Sequence, residues 1–307
     1  MQIKICKKVL IMEMKKKCAL FILLGQSNAA GHGVPMKEED IVASPMKNVF
    51  GLSREKNQTF DSTALAWQGY TTAGMNLAEE CDDTYSVANC LAKHWQTAID
   101  GGSALPDLYI IHIAIGAQGV TGNYMWNPDR PQTITPGKLG TVDISLFPFT
   151  DHILSLVNES FVRMGKEYEV MGLHWRGGEN DTTVPVPALS EVLEKIYIRI
   201  FDAFEKHIGS YPLILHKIVC PDRALDMDPT GEKLKSMYYI DEVFESLAAH
   251  YPDASIFDAT RAPQFIKDVR GNGIFIGDCV HYKPEVNDWV AEQILFDYAE
   301  KKGIALF

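Results

Sequence analysis

A serine stands in a small, polar, glycine-rich turn near the start of the chain. The apolar run of residues 18–24 leads into this turn, and residues 25–33 read GQSNAAGHG. Such a run is typical of a buried strand in a parallel sheet, and ligands of open α/β sheets bind beyond the carboxyl ends of the strands. Ser27 is therefore placed where a nucleophile is useful, beside helix N–H groups that can hold an oxyanion. The turn alone leaves a second interpretation equally open, in which the serine only caps a helix.

An aspartate and a histidine lie three residues apart near the other end of the chain. Asp278 and His281 precede Pro284, and proline favours the first position of a helix because its missing N–H would be unpaired there. The carboxylate can bind one ring nitrogen and leave the other for a serine hydroxyl, as nucleophilic catalysis requires. On its own the pair is more often a helix cap beside a surface histidine. Combined with Ser27, it predicts a Ser-His-Asp triad.

The chain resembles the SGNH hydrolases, in the branch of sialate O-acetylesterases and acetylxylan esterases. Residues 25–28 (GQSN) resemble the nucleophile block, and residues 278–281 resemble the last block. Residues 108–119 (LYIIHIAIGAQG) are similar to the second block, a strand ending in the oxyanion glycine. Residues 172–181 (GLHWRGGEND) are similar to the third block, usually written WxQGExD. The four blocks occur in the family order and span residues 21–283.

The resemblance implies a catalytic role for Ser27 as nucleophile, His281 as base and Asp278 as the residue that orients it. Further candidates bind the oxyanion or the substrate, or hold the third-block loop. They are Gln26, Gly116, Arg176, Glu179 and Asn180.

Two positions depart from the family pattern. The third block normally carries a glutamine that donates to the oxyanion, and Gly177 stands there instead; the second glycine of the second block is Ala117. Losing one oxyanion donor typically costs about 100- to 1,000-fold in turnover. Arg176 and Asn180 are adjacent to this position, and either could supply the missing donor.

Composition limits the partners and cofactors. A net charge of −11 and a pI near 5.3 argue against nucleic acid or an anionic membrane, because both repel an acidic protein. The sequence has no CxxC or HxxxH pattern, so we expect no metal. Residues 116–122 lack the glycine spacing of a dinucleotide loop. Ester hydrolysis needs no cofactor, and none is predicted.

The amino-terminal segment imitates a signal peptide. Residues 15–17 are lysines and residues 18–24 are apolar, but the apolar run is short and leads directly into the serine turn. We therefore interpret it as the first strand and expect a cytoplasmic protein. Residues 1–307 are expected to form one domain, because the triad residues come from both ends, with residues 1–17 as an extension.

Strand and helix patterns alternate along the chain, which predicts an α/β fold. We expect a three-layer α/β/α sandwich around a five-stranded parallel sheet of flavodoxin-like order. The predicted strands are 18–24, 108–115, 169–175, 213–219 and 255–257. The predicted helices are 84–99, 146–164, 186–207, 234–250 and 285–301. Two long loops, 34–83 and 116–145, follow the first two strands.

Other residues leave alternatives open. Glu179 and Asp181 lie in one loop and cannot flank a bond from both sides, which excludes a glycosidase pair; Asp181 orients the loop or belongs to a solvated turn. Aromatic residues of the two long loops stack on sugar rings or pack beneath the loops, with packing slightly favoured: Trp67, Tyr70, Tyr124 and Trp126.

The sequence thus predicts a serine esterase that removes acetyl groups from a carbohydrate. One alternative is a lipase- or thioesterase-like hydrolase on the same scaffold, which an apolar acyl groove would favour. Another is a carbohydrate-binding domain with a weakened site, suggested by Gly177.

Overall fold

The strands of the protein form one sheet. The computed structural model describes residues 17–57, 63–78, 81–129, 145–265 and 273–307. Strands in this part are β1 (Cys18–Gly25), β2 (Val49–Leu52), β3 (Trp67–Gly69), β4 (Leu108–Ala114), β5 (Tyr168–Arg176), β6 (Leu213–His216) and β7 (Ala254–Phe257). Their order across the sheet is β3-β2-β4-β1-β5-β6-β7, and β3 is antiparallel to β2 while the other pairs are parallel.

Helices follow most of the strands. They are α1 (Ser27–Ala30), α2 (Arg54–Asn57), α3 (Val87–Asp100), α4 (Leu146–Ser155), α5 (Val157–Arg163), α6 (Val186–Ile208), α7 (Pro221–Met227), α8 (Glu232–His250) and α9 (Pro284–Lys302). Within the described residues, no helix is both long and apolar enough to span a bilayer.

The α/β class and the flavodoxin-like order are confirmed. The five predicted strands correspond to β1, β4, β5, β6 and β7, which lie in the order β4-β1-β5-β6-β7, the 2-1-3-4-5 order of flavodoxin. The predicted number of strands is wrong, because β2 and β3 extend the sheet beyond β4 within the predicted loop 34–83. These two strands have four and three residues, too few to show a periodic pattern.

Two apolar cores, one on each face of the sheet, give the three layers. On β1, the side chains of Leu20, Ile22 and Leu24 belong to the core beneath α4, α6 and α8. The alternate residues Phe21 and Leu23 belong to the core beneath α3 and α9. Because both faces of β1 are covered, the strand reads as a continuous apolar run, and the central strand carries Ser27 directly beyond its carboxyl end.

The five predicted helices agree with observed helices except in one place, and α2 and α7 were not predicted. The predicted helix 146–164 is divided into α4 and α5 at Leu156. The apolar spacing continues through this break, so periodicity alone does not reveal it.

Candidate active site

The turn that holds Ser27 depends on Gly25. Gly25 ends β1 with φ +143°, and a Cβ atom there would lie 2.0 Å from Arg176 O. A side chain cannot fit against this backbone, so only glycine allows β1 to pass so close to the end of β5. The next residue, Gln26, donates its backbone N–H to the same Arg176 oxygen at 3.0 Å. The main chain of β5 therefore fixes the start of the turn.

Ser27 is the first residue of α1, and its side chain does not cap the helix. The residue at the N-cap is Gln26, which makes no side-chain capping bond. As the first residue of a helix, Ser27 has a backbone N–H without an intrahelical acceptor. Only 6% of Ser27 is exposed, and the residue lines a cavity of about 450 Å³. The helix-cap interpretation of this serine is therefore not what the geometry shows.

Asp278 and His281 form a hydrogen-bonded pair in the turn before α9. Asp278 Oδ1 accepts the backbone N–H groups of Val280 and His281, both at 3.0 Å. Asp278 Oδ2 accepts from His281 Nδ1 at 2.5 Å. Burial alone would raise the pKa of Asp278. The hydrogen bonds from His281 and Val280 together outweigh that effect, so the pKa lies below its ordinary value. The carboxylate stays ionised at neutral pH and holds the ring with Nε2 directed away from it.

The ring of His281 lines the same cavity as Ser27. No hydrogen bond within the described residues joins the Ser27 hydroxyl to the His281 ring. Bonds between a nucleophile and its base are often long without substrate and shorten in the reactive complex. In the structure the two side chains therefore line one cavity, but they are not hydrogen-bonded to each other.

Asn28 connects the serine turn to two other segments. Its Nδ2 donates to Glu179 Oε1 at 2.7 Å and to Val280 O at 3.0 Å. Its Oδ1 accepts the backbone N–H of Tyr282 at 3.3 Å. One amide thus ties together the serine turn, the loop after β5 and the turn that carries His281. Glu179 holds the loop in place through this bond.

Asp181 is buried and ties the loop after β5 to the loop after β4. Its Oδ1 accepts from the backbone N–H and the hydroxyl of Thr121, at 2.9 and 2.5 Å, and both oxygens lie 3.1 Å from Val120 N. Burial raises the pKa of this carboxyl, although the bonds from Thr121 and Val120 oppose the shift. Gly119 fits here because a Cβ atom would lie 2.6 Å from Asp181 Oδ1. The solvated-turn interpretation of Asp181 is wrong.

The two candidates for the missing oxyanion donor occupy different places. Asn180 lines the cavity, and its side-chain amide makes no hydrogen bond to any residue in the described part. Arg176 is 2% exposed and does not line the cavity. Its Nη1 donates to Asn28 O at 2.9 Å and to Asn287 Oδ1 at 3.0 Å, and its guanidinium lies 4.8 Å from the ring centre of Tyr282. Arg176 therefore supports the serine turn from behind.

Gly116 and Gln26 also line the cavity. Gly116 follows β4, and a Cβ atom there would lie 2.8 Å from His32 Cε1. Glycine at this position thus leaves room for the His32 ring. The ring of His32 lies 5.8 Å from that of His281, a proximity that no sequence motif indicated.

Sequence reasoning also missed the lining residues that lie outside the family blocks. Arg223 and Ala224 on α7 and Lys233 on α8 line the cavity, and α7 was not predicted at all. The aromatic residues of the long loops do not line it. Tyr70 and Trp126 are fully buried, which confirms the packing interpretation for these two.

One cluster in the described residues has the composition of a cation site. The ligand atoms of His94, Asp288 and Glu292 lie within 4.8 Å of one another. They belong to α3 and α9 and do not line the cavity. His94 Nε2 already lies 2.8 Å from Asp288 Oδ1, so a hydrogen bond explains the contact between these two side chains.

Solved structures share this fold. The sequence matches no protein-family model and no curated protein. The structure is similar to that of a protein from Arabidopsis thaliana, with a TM-score of 0.55, 15% identity and coverage of 93% of this chain and 99% of the other. It is similar to NanS with a TM-score of 0.55, 12% identity and coverage of 94% and 99%. Est24, a carbohydrate acetylesterase from Sinorhizobium meliloti, is less similar, with a TM-score of 0.40, 13% identity and coverage of 92% and 99%. At these identities the first two likenesses establish the fold.

Proposed function

We propose that this protein is a serine esterase of the SGNH type, in one domain, that removes acetyl groups from a carbohydrate. The observation that carries the proposal is that Ser27 lines the same cavity as His281, whose ring is bonded to Asp278. A nucleophile, a base and a group that orients the base are the parts that acyl transfer requires.

The proposed reaction has two halves. Ser27 Oγ attacks the ester carbonyl carbon while His281 Nε2 takes the hydroxyl proton, and His281 then gives that proton to the departing sugar oxygen. Water, activated by the same ring, next attacks the acetyl group on Ser27 and releases acetate. Asp278 fixes the tautomer of the ring throughout and stabilises the imidazolium form.

Negative charge on the tetrahedral carbonyl oxygen needs donors. The backbone N–H groups of Ser27 and Gly116 are the proposed first two, since both residues line the cavity. Asn180 is the third, because it lines the same cavity and its amide has no hydrogen-bond partner among the described residues. A Cβ atom at Gly177 would meet only ordinary contacts at 3.5 Å or more, so this site does not sterically require glycine.

Asn180→Ala is expected to lower kcat about 100-fold, because one oxyanion donor is lost. Turnover of a soluble acetyl ester under saturating substrate measures this effect. Thr97→Val, on the exposed side of α3 and outside the cavity, is the control and should change kcat by less than about threefold. Full turnover in Asn180→Ala would remove Asn180 from the oxyanion site.

Substrate preference separates the esterase proposal from its alternatives. Four uncharged polar side chains line the cavity: Gln26, Asn180, Thr182 and Thr183. They suit the hydroxyl groups of a sugar better than a long acyl chain. We expect acetate release from acetylated oligosaccharides and faster cleavage of nitrophenyl acetate than of nitrophenyl decanoate.

Two outcomes contradict the proposal. Preference for the decanoate ester would favour a lipase- or thioesterase-like enzyme. Failure of a fluorophosphonate to label Ser27 in folded protein that still binds sugar would favour the weakened, carbohydrate-binding site.

A further inference from the structure

A second cavity lies between α8 and the segments that follow β6 and β7. Its volume is about 690 Å³, which is within the range of small-molecule binding sites. Asp241 on α8 lines it, as do Ile218 after β6 and Thr260 after β7. None of its described lining residues also lines the cavity of Ser27. The proposed esterase reaction therefore gives this second cavity no role.

Asp241 carries a buried oxygen without a partner. The residue is 6% exposed. Its Oδ1 accepts the backbone N–H of Ile218 at 2.9 Å, whereas its Oδ2 has no hydrogen-bond partner within the described residues. Its carboxylate also makes no ion pair in this part of the chain. A buried carboxylate oxygen without a donor is costly, so Asp241 gains free energy from a ligand that supplies one.

The charge around the cavity is mainly negative. Glu242 and Glu245 accompany Asp241 on α8, and Lys217 is the one cation among the described lining residues. Both glutamates are exposed, and neither forms an ion pair with a described residue. Lys217 likewise forms no ion pair with a described carboxylate. Three acidic side chains against one basic side chain favour a positively charged ligand over an anion.

The lining suits an organic cation better than a metal ion. In the part of the chain that the structure describes, these three carboxylates are not among the groups whose ligand atoms lie within 4.8 Å of one another, so they do not surround one ion together. Apolar side chains also line the cavity, including Ile218, Met237 and Phe265. An apolar body can bury its surface against them while a charged group meets the carboxylate.

We propose that this cavity binds a small organic cation, a protonated primary amine on an apolar body, with Asp241 as its counter-ion. The ammonium group supplies the donor that Asp241 Oδ2 lacks, in a charge-assisted hydrogen bond. Glu242 and Glu245 add negative charge that water and salt screen, because both are exposed. The site is separate from Ser27 and does not depend on the proposed esterase function.

Amine binding should depend on pH through Asp241. Burial raises the pKa of Asp241 to about 7, although the N–H of Ile218 and the charge of Lys217 oppose the shift, and Asp258 and Glu245 reinforce it. The carboxyl group is therefore mostly protonated at pH 6 and mostly ionised at pH 8. Since the ionised form is the one that pairs with an ammonium group, affinity should fall about tenfold from pH 8 to pH 6.

Cys220 and Tyr282 also interact with the charge of Asp241. Burial raises the pKa of both side chains above their ordinary values. Both therefore stay neutral between pH 6 and pH 8, and neither changes charge over the range in which Asp241 titrates.

The experiment compares 3-phenylpropylamine with 3-phenylpropan-1-ol, which has a similar size and no charge. Binding to the full chain is measured by NMR titration at pH 8. We expect the amine to bind about tenfold more tightly than the alcohol, as expected for one charge-assisted hydrogen bond. The backbone amide of Ile218 and the methyl group of Met237 should show the largest shifts.

Asp241→Asn removes the charge and keeps an oxygen that can accept from Ile218, so the fold should persist. Its preference for the amine should fall about tenfold, and the pH dependence should disappear. Asp253→Asn is the matched control, because it removes an exposed carboxylate outside the cavity. This variant should keep both the preference and the pH dependence.

Equal binding of the amine and the alcohol to the wild-type protein would overturn the proposal. An amine preference that persists in folded Asp241→Asn would overturn it as well. If Asp241→Asn does not fold, the wild-type protein decides, since an affinity for the amine that does not fall between pH 8 and pH 6 contradicts the role of Asp241. Ser27→Ala should bind the amine as tightly as the wild type, so failure of the esterase proposal leaves this result unchanged.

Discussion

Replacing Ser27 with alanine is expected to lower kcat for an acetyl ester by about 10⁴- to 10⁶-fold. The side chain lines the cavity and no described group could replace its oxygen as the nucleophile at that point of the turn. The oxyanion donors and the His281 ring remain, so a residual rate above that of water should persist. Acetate release at high enzyme concentration measures the loss.

A matched control separates loss of the nucleophile from loss of the fold. Ser190→Ala removes an exposed hydroxyl on α6 that bonds Pro187 O, and should keep wild-type turnover. Both variants should unfold within a few degrees of the wild type. The proposal for Ser27 fails if the Ser27→Ala variant keeps wild-type turnover. It also fails if a fluorophosphonate still labels this variant stoichiometrically.

Replacing Asp278 with asparagine is expected to lower kcat about 10³- to 10⁴-fold with little change in KM. Asparagine can still accept the backbone N–H groups of Val280 and His281, so the turn should persist. Its NH₂ group, however, would face Nδ1 and favour the wrong tautomer of His281. The lowered pKa of Asp278 means that its charge is present at neutral pH and is lost only as the pH falls through that low value, so the defect should appear at neutral pH.

The control for this variant is Asp297→Asn on the exposed side of α9, which should leave kcat unchanged. The tautomer can be read directly from the ¹⁵N chemical shifts of the His281 ring, which should change in Asp278→Asn alone. Unchanged ring shifts together with unchanged kcat would show that Asp278 does not orient the base.

The parts of the fold that were predictable are those with long or buried patterns. β1 is apolar along its whole length, and β4 is apolar except for His112. α6 and α9 repeat their apolar residues at helical spacing, so local sequence determines each element. The order of the five main strands followed from the alternation of strands and helices together with the family resemblance. The nearness of Ser27 to the Asp278–His281 turn then follows, since both lie at the carboxyl edge of one sheet.

Features that depend on contacts between distant residues were not predictable. β2 is a short strand that pairs with β4, and the edge strand β3 pairs in turn with β2; nothing in their own sequences requires a strand. The place of Arg176 behind the serine turn depends on the packing of Asn28 and Asn287. Arg223 and Lys233 line the cavity because α7 and α8 pack there, and neither residue belongs to a sequence motif.

The hydrogen bonds of Asn28 have a consequence for folding during synthesis of the protein. Its amide bonds Val280 and Tyr282, residues made more than 250 positions later. While a ribosome is still translating, a chain can complete the central strand and its neighbours but has no partner for this amide. The proposed esterase activity should therefore appear in one step, after α9 has left the ribosomal exit tunnel. A nascent polypeptide stalled before residue 278 would be folded in large part and inert.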